Sequence, residues 1–417
     1  METNSRSNRD ANILDPDVYV RGVPHATFAR LRDEDPVSWW PEADGPGLWA
    51  VTRYDDVVAV SHQAQTFSSA RGIRLEDMRP DELAARRTLM ELDPPEHTTL
   101  RKLVQRPFSY REVATYETAL RLMTRALIDE VRREASFDFV SALARPLPMR
   151  VLGKMLGVPD ADGPWLVSRG DALIGNTDPE FTETPVGVTN TEAYRLMPFR
   201  SPVSLELFAY AEEQARRRRE QPGDDVISVL LRPTRDGRPL SDDEFKNFFT
   251  LLVAAGNDTT RYSIAAGMLA LLERQDLLAE LRDHPELTAG AVEEMLRWST
   301  VTMHFRRTAT RDVELGGKRI AAGDKVLLWY IAGNHDERHF DRPGEFDIRR
   351  RPNDHLAFGL KGPHKCLGEH LARLEMRVFF EELLPVLAAI RLNGEVARLR
   401  SNFIAGVKRL PVAVAWA

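Results

Sequence analysis

Cys366 is the only cysteine of the 417-residue chain, and the residues around it favour a reactive or metal-binding sulfur. Gly359 and Gly362 allow the backbone to turn tightly before it, and an apolar helical pattern begins directly after it. Backbone N–H groups and the positive dipole end at a helix start favour thiolate over thiol. The pattern indicates a thiolate that either ligates iron or acts as a nucleophile with His364 as its base, and the alternative is an inert buried cysteine.

Asp258 and Thr259 form a second candidate for chemistry, in the middle of a long predicted helix. The helix begins at a capping box made by Ser241 and Glu244, and its apolar face later gives way to small and polar residues. Gly256 in such a position costs about 1 kcal/mol relative to alanine, so a compensating role is expected. The alternative is a kinked helix whose threonine hydroxyls bond back to the preceding turn.

His97 and Arg101 are a third candidate, because their i, i+4 spacing puts two cationic donors on one helix face. The sequence predicts that this helix opens with Asp93 as its N-cap and Pro94 at its first helical position. Such a pair binds an anion, or else it is an ordinary surface feature.

The elements that must position these residues are mostly helical, so the predicted fold class is mainly α with minor β. The stretch 175–202 is rich in Pro, Thr, Gly and Asn, and it is either a lid or a tolerated surface insertion. The predicted elements are a strand over 48–52, helices over 54–60, near 110–135, 205–220, 242–273, 286–298 and 367–390, and strands within 313–331 around the turn Gly316-Gly317.

Composition and charge exclude several classes of protein. The net charge of −6, from 57 basic and 63 acidic residues, provides no field that would attract nucleic acid. The polar segment 1–17 lacks the apolar core of a signal peptide, and no apolar run approaches the ~20 residues that span a bilayer. We therefore expect a cytoplasmic protein without a membrane anchor. A lone cysteine also excludes an intrachain disulfide.

The cysteine segment resembles the haem-binding signature of the cytochrome P-450 family. The residues that carry the resemblance are Phe358, Gly359, Gly362, His364, Cys366 and Gly368. It implies haem b between the long central helix and the cysteine helix, Cys366 as the iron ligand and His364 near a haem propionate. Leu360 and Lys361 make the loop one residue longer than in most bacterial members.

The other candidates match the family's motifs in the same order along the chain. The resemblance implies that Ala255 and Gly256 form the oxygen-binding groove and that Asp258 and Thr259 deliver protons. It further implies propionate contacts from three basic side chains and a structural Glu-x-x-Arg pair with a third member. These residues are His97, Arg101 and Arg307 for the propionates, Glu294 and Arg297 for the pair, and Arg350 for its third member.

A family member of this kind is a monooxygenase that hydroxylates or epoxidises a hydrophobic substrate. The resemblance implies a single domain over 1–417, monomeric and without a fused reductase, that receives electrons from a ferredoxin or flavodoxin and its NAD(P)H-dependent reductase. A docking surface for that partner is expected at basic residues on the cysteine side. These residues are Arg101, Lys102, Arg106, Lys361 and Lys365.

The substrate is the least determined part of the prediction. Similarity around residues 257–264, 304–311 and 401–411 favours a terpenoid, steroid or fatty acyl substrate, with natural-product tailoring of a polyketide or peptide as the alternative. A haem-thiolate sensor or peroxygenase and a cysteine hydrolase remain rival classes. The residues expected to line the cavity, besides the 68–92 loop and the 170–202 segment, are Leu252, Val253, Ala255, Val301, Met303, Phe403 and Ile404.

Overall fold

The computed structural model describes residues 11–42, 45–233, 239–359 and 362–417. Over these residues helices dominate and the strands form small sheets, which confirms the predicted class of mainly α with minor β. In this part of the chain no helix is long and apolar enough to cross a membrane.

The α-helices within the described residues are α1 (Pro16–Tyr19), α2 (His25–Glu34), α3 (Tyr54–His62), α4 (Pro80–Arg86), α5 (Glu96–Val104), α6 (Tyr110–Ala114), α7 (Glu117–Val131), α8 (Pro146–Leu156), α9 (Gly163–Ile174), α10 (Val203–Glu220), α11 (Val226–Leu230), α12 (Asp242–Glu273), α13 (Gln275–Asp283), α14 (Thr288–Ser299), α15 (Tyr330–Gly333) and α16 (Glu369–Leu383). Segment 175–202 joins α9 to α10 without an α-helix of its own.

The strands within the described residues are β1 (Val37–Trp40), β2 (Leu48–Val51), β3 (Phe67–Ser68), β4 (Ser136–Asp138), β5 (His304–Ala309), β6 (Val313–Leu315), β7 (Lys318–Ile320), β8 (Lys325–Trp329), β9 (Leu387–Leu392), β10 (Ala397–Arg398), β11 (Val407–Arg409) and β12 (Pro411–Trp416). The largest sheet has the order β1-β2-β8-β5-β3, in which only the β2–β8 pair is parallel. The smaller sheets are β4-β12-β9, β10-β11 and β6-β7.

The central helix α12 has the bounds that the sequence predicts. The Ser241 hydroxyl accepts the Glu244 N–H at 3.2 Å, and the Glu244 carboxylate accepts the Ser241 N–H at 2.7 Å, so the capping box is present. The helix packs against α8, α9, α10, α14 and α16. It therefore forms the axis of the main hydrophobic core.

Two of the predicted helix boundaries are wrong. The helix predicted over 367–390 ends at Leu383, because Pro385 cannot continue it, and the apolar run that follows forms strand β9. Asp93 is not an N-cap, since α5 begins at Glu96. The Asp93 carboxylate instead accepts the Ser69 N–H at 2.9 Å.

Candidate active site

The segment before Cys366 folds into a tight loop. Gly359 has a φ of 67°, in the left-handed region that favours glycine. The Cys366 N–H donates to the Phe358 carbonyl at 2.8 Å, which closes the loop beneath the sulfur. Helix α16 follows with Gly368 as its N-cap, and the Gly368 N–H faces the sulfur. The two residues that lengthen this loop, 360–361, lie outside the described residues.

The Cys366 residue is accessible, although dense protein surrounds its thiol. Burial raises the pKa of the thiol, and the Gly368 N–H at the helix start, which favours thiolate as the sequence predicts, opposes this rise only in part. His364 directs its Nε2 atom at the Ser69 hydroxyl, 3.1 Å away, and its ring packs on His97 with the centroids 4.3 Å apart. This geometry disfavours a cysteine nucleophile that uses His364 as its base.

Four basic side chains converge beside the cysteine. Burial and then the charge of Arg101 lower the pKa of His97 to about 4, with Arg307 acting in the same direction. Burial and then Arg307 lower the pKa of His364 to about 2. Arg101 also lies close enough to Cys366 for their charges to interact. The four groups therefore form one cluster on the sulfur side of the fold, which is cationic through Arg101 and Arg307, whereas His97 and His364 are neutral at physiological pH.

This cationic cluster, formed by His97, Arg101, Arg307 and His364, fits the haem that the sequence predicts. The His97 Nδ1 atom is buried without a hydrogen-bond partner, and the neighbouring Asp93 carboxylate is already bound by Ser69. A buried donor of this kind requires an acceptor, and the charges of Arg101 and Arg307 beside it favour an anionic one. The two propionates of haem would provide such acceptors next to a thiolate ligand.

Ala255 and Thr259 share one face of α12, as i, i+4 spacing requires. Ala255 is exposed although Leu252, Val253 and Asp258 around it are buried, so this face of α12 is not covered by other protein atoms. The Thr259 hydroxyl donates to the Ala255 carbonyl at 2.8 Å, the back-bond that the sequence offered as the alternative to a catalytic role. The lone pairs of the Thr259 Oγ1 atom remain free to accept a further hydrogen bond.

Gly256 lies on another side of α12, against α8. A Cβ atom added at this position would come within 2.7 Å of the Leu152 Cδ2 atom, and Leu152 is itself buried. The missing side chain at position 256 therefore allows α8 to pack closely on α12. This close packing accounts for the glycine without a direct role in oxygen binding.

Asp258 is fully buried and points towards α9, away from the face that carries Thr259. Its Oδ1 atom accepts the Asn257 amide and forms an ion pair with Arg261, both at 2.8 Å. Its Oδ2 atom is buried without a hydrogen-bond partner. Burial raises the pKa of Asp258 to about 8, and the Arg261 charge opposes that rise without cancelling it. Asp258 therefore exchanges its proton near neutral pH.

The sequence analysis missed the charged network that holds Asp258. Arg261 also binds Asp171 of α9, and Asp171 in turn accepts the Arg145 Nε–H at 2.9 Å. The side chain of Arg145 is 38% exposed, whereas those of Asp171 and Arg261 are 5% and 2% exposed. The network thus extends from the surface to the central helix. The Asp-x-x-Arg spacing on α12 could have indicated Arg261, but no local signal indicates Asp171.

Glu294 and Arg297 form a fully buried ion pair at 2.7 Å, with both side chains 0% exposed. The Arg350 Nε atom approaches the second Glu294 oxygen at 3.0 Å, so the third member assigned from the resemblance makes the contact. Arg297 also donates to the Asn334 and Pro343 carbonyls. These bonds tie α14 to the chain that leads into the cysteine loop.

The residues proposed to contact substrate come from distant segments that the fold joins. The Met303 N–H donates to the Phe403 carbonyl at 2.9 Å, and the Ala405 N–H donates to the Val301 carbonyl at 2.8 Å. An isolated bridge pairs Ile404 with Thr302. The C-terminal segment 403–405 therefore lies along 301–303.

Met303 differs from the other members of this set. Its side chain is 0% exposed and packs with Ile13, Phe28 and Trp329 in a core beneath the largest sheet. That environment argues against a direct contact between Met303 and substrate. The remaining members belong to the main core around α12: Leu252, Val253, Val301, Phe403 and Ile404.

Comparisons with known proteins agree with this geometry. The cytochrome P450 family profile matches residues 204–386. A methyl-branched lipid omega-hydroxylase of Mycobacterium tuberculosis is 40% identical over 402 residues, covering 94% of this chain and 91% of the relative. A linalool 8-monooxygenase of Pseudomonas putida is 37% identical over 415 residues, covering 97% and 98%.

A solved structure gives the same result for the fold. A Mycobacterium marinum cytochrome P450 in complex with pseudoionone superimposes with a TM-score of 0.87 at 37% identity, covering 98% of this chain and 100% of that one. Near-complete coverage in sequence and in structure leaves no alternative fold. The chain belongs to the cytochrome P450 family of monooxygenases, and its cofactor is haem b.

Proposed function

We propose that this monooxygenase hydroxylates a hydrophobic terpenoid, steroid or fatty acyl substrate. The observation that carries the proposal is the exposed Ala255–Thr259 face in the middle of an otherwise buried apolar helix. Apolar side chains from distant segments adjoin it, as a hydrophobic substrate requires. Relatives named for a branched lipid and for linalool support the same substrate class.

The residues around Cys366 have distinct roles in this proposal. The Cys366 sulfur ligates the haem iron, and the cationic cluster binds the propionates through charge-assisted hydrogen bonds. Thiolate-ligated haem supplies the activation of dioxygen. The Glu294–Arg297 pair holds the scaffold and takes no part in the chemistry.

Asp258 and Thr259 divide the task of proton delivery. Asp258 stores a proton near neutral pH, because burial opposes its ionisation more strongly than Arg261 favours it. The hydroxyl of Thr259 lies on the exposed face of α12 and provides the last hydrogen bond of the proton-delivery route. Since the two side chains point in different directions, water must connect them. The presence of both Asp258 and Thr259 also favours dioxygen over peroxide as the oxidant.

Electrons would come from a separate ferredoxin or flavodoxin. Lys102 lies on α5 next to Arg101 of the cationic cluster, and Arg106 lies two residues beyond the end of that helix. Both residues are exposed, and the side chain of Arg106 is 83% exposed. Lys365 pairs with Glu369, and Lys361 lies outside the described residues. A basic surface of this kind attracts an acidic redox protein.

The substrate proposal is tested with haem-loaded enzyme and a panel of terpenoids, steroids, fatty acids and aromatic acids. A spin-state change in the Soret band reports binding, and product analysis with NADPH, ferredoxin and reductase reports hydroxylation. We expect terpenoid, steroid or fatty acyl compounds to bind and to be hydroxylated. Turnover restricted to the aromatic acids would contradict the proposal.

The docking surface is tested by charge reversal at Lys102 and Arg106. We expect the rate of reduction by ferredoxin to fall with these changes and with added salt. Reversal of Arg319, on the β6–β7 hairpin and likewise 83% exposed, changes the net charge as much as a single reversal at Lys102 or Arg106 and serves as the control for each. An effect of the Arg319 reversal equal to that of either single reversal would contradict the assignment.

A further inference from the structure

Arg74 is a charged side chain that the proposed chemistry does not use. Its guanidinium lies over two aromatic rings, 4.6 Å from the centroid of Phe403 and 5.2 Å from that of Phe199. Among the described residues no hydrogen-bond acceptor or carboxylate lies within bonding distance of it, and its Nη1 atom is fully buried. A guanidinium carries five N–H donors, and it is costly to bury them without an acceptor.

A chain of contacts joins Arg74 to Phe403, one of the residues proposed to line the substrate cavity, and onward to the cationic cluster. Phe305 and Arg307 are two positions apart on β5 and so share one face of the sheet. Arg307 belongs to the cationic cluster beside Cys366. Phe305 contacts Phe403 at 5.5 Å between ring centroids, and Phe403 lies under Arg74. Arg74 is therefore at the far end of an aromatic wall that leads from the haem-side cluster.

The neighbours of Arg74 leave further buried donors unpaired. Arg86 lies 3.7 Å from Glu82 without a hydrogen bond, and its Nε and Nη2 atoms have no partner. Arg200 donates from Nη2 to Glu82 at 3.1 Å, while its Nε atom has no partner. The charges of Arg74, Arg86 and Arg200 outweigh the effect of burial and lower the pKa of Glu76. These three arginines and the two carboxylates Glu76 and Glu82 together carry one net positive charge.

The segment over Arg74 is held in place by unusual backbone conformations. Phe199 and Arg200 have φ values of 59° and 50°, which non-glycine residues seldom adopt. These conformations set the Phe199 ring against the guanidinium and turn Arg200 towards Glu82. Strain of this kind persists where the surrounding structure enforces it, and it is common at ligand sites.

We propose that Arg74 binds the carboxylate of an anionic amphiphilic substrate, whose hydrocarbon part lies along Phe403 and Phe305 towards the haem. The planar guanidinium matches a carboxylate in a bidentate geometry, and its aromatic neighbours suit the adjoining hydrocarbon. The haem propionates are not the occupants, because the cationic cluster already supplies their donors. The inference rests on the proposed function, since it selects carboxylic acids from the hydrophobic substrate class.

The experiment compares each acid with its neutral counterpart. Haem-loaded enzyme is titrated with dodecanoic acid, geranic acid and the methyl ester of each, and dissociation constants are measured by Soret spin-state change and by calorimetry. We expect each acid to bind tenfold or more tightly than its ester. We expect Arg74→Gln to weaken acid binding by about tenfold to hundredfold, the range for hydrogen bonds to charged groups, and to leave the esters unchanged.

Two further variants separate recognition from general effects. Arg74→Lys keeps the charge without the planar fork and is expected to recover part of the preference for acids. Arg79→Gln removes a charge from the same segment, but its guanidinium is exposed and bonded to Glu192 at 2.6 Å, so the preference should remain.

Three outcomes would count against the proposal. Equal affinities for acid and ester, or an equal loss of both in Arg74→Gln, would overturn the carboxylate assignment and leave the hydrophobic substrate class intact. An effect of Arg79→Gln as large as that of Arg74→Gln would show that the preference for acids over esters arises from long-range charge and not from direct binding by Arg74. Binding of neither acids nor esters would overturn the lipid and terpenoid class itself.

Discussion

The Arg261 guanidinium lies 2.8 Å from the Oδ1 atom of Asp258, one helical turn earlier on α12, and both side chains are buried. The same guanidinium binds Asp171 on α9. Asp258 is therefore held by a cation whose charge it shares with a second carboxylate. This sharing explains why burial outweighs the ion pair and leaves the pKa of Asp258 above its ordinary value.

Asp258→Asn removes the proton store and keeps the shape of the side chain. We expect kcat to fall by roughly hundredfold or more, the contribution of a positioned proton donor. In the parent enzyme activity should decline as the pH rises through about 8, where Asp258 loses its proton. That alkaline decline should be absent in the variant. A pH profile of kcat identical in parent and variant would contradict the role of Asp258.

Arg261→Gln removes the charge that lowers the pKa of Asp258, so that pKa should rise further. The alkaline decline of kcat should then move to higher pH. Since Asp171 loses a buried partner, the free energy of unfolding should fall by about 3 kcal/mol, measured by denaturant titration. Arg145→Gln is the control, because Arg145 is partly exposed, forms its ion pair with Asp171 and lowers the pKa of Asp258 less than Arg261 does. A larger effect of Arg145→Gln than of Arg261→Gln would contradict this account.

Thr259→Ala removes the hydroxyl on the exposed face of α12. Among the residues that the structure describes, the hydroxyl bonds only to the Ala255 carbonyl, so stability should change little. Product formed per NADPH consumed should fall by roughly tenfold or more, because proton delivery is disturbed while electron supply continues. Thr259→Ser keeps the hydroxyl and should retain most of the coupling. Coupling in Thr259→Ala as tight as in the parent would exclude the assignment.

Local patterns predicted much of this fold, because short-range signals decide local structure. The Ser241 capping box and the apolar spacing defined α12, and the glycines before Cys366 marked its loop. The network around Asp258 could not be predicted, since Asp171 and Arg261 are distant in sequence and meet only when α9 packs on α12. The burial of the Met303 side chain could not be predicted either, because it depends on the distant residues that form the core beneath the largest sheet.

Arg101→Gln tests the cationic cluster through haem retention. Arg101 lies near His97 and Cys366, and loss of its charge-assisted hydrogen bond should raise the rate of haem transfer to apomyoglobin by about tenfold to hundredfold. Arg111→Gln, at an exposed position on α6, is the control and should leave the rate unchanged. Equal transfer rates in Arg101→Gln and the parent would remove Arg101 from the haem site.

The Glu294–Arg297 pair should be needed for stability rather than for chemistry. Arg297→Ala leaves Glu294 as a buried charge whose only remaining cation in the described part of the chain is Arg350, so the free energy of unfolding should fall by about 3–5 kcal/mol. The carbonyls of Asn334 and Pro343 lose their donor in the same variant, which loosens the approach to the cysteine loop.

The thiolate-type Soret band of the reduced carbon monoxide complex reports whether the loosened cysteine loop still holds the Cys366 thiolate on the haem iron. In Arg297→Ala we expect this band to diminish in parallel with the thermal transition temperature. Arg350→Ala should have a smaller effect on both, because Arg297 still neutralises Glu294. A stable Arg297→Ala variant with a full thiolate band but no turnover would instead place Arg297 in the chemistry.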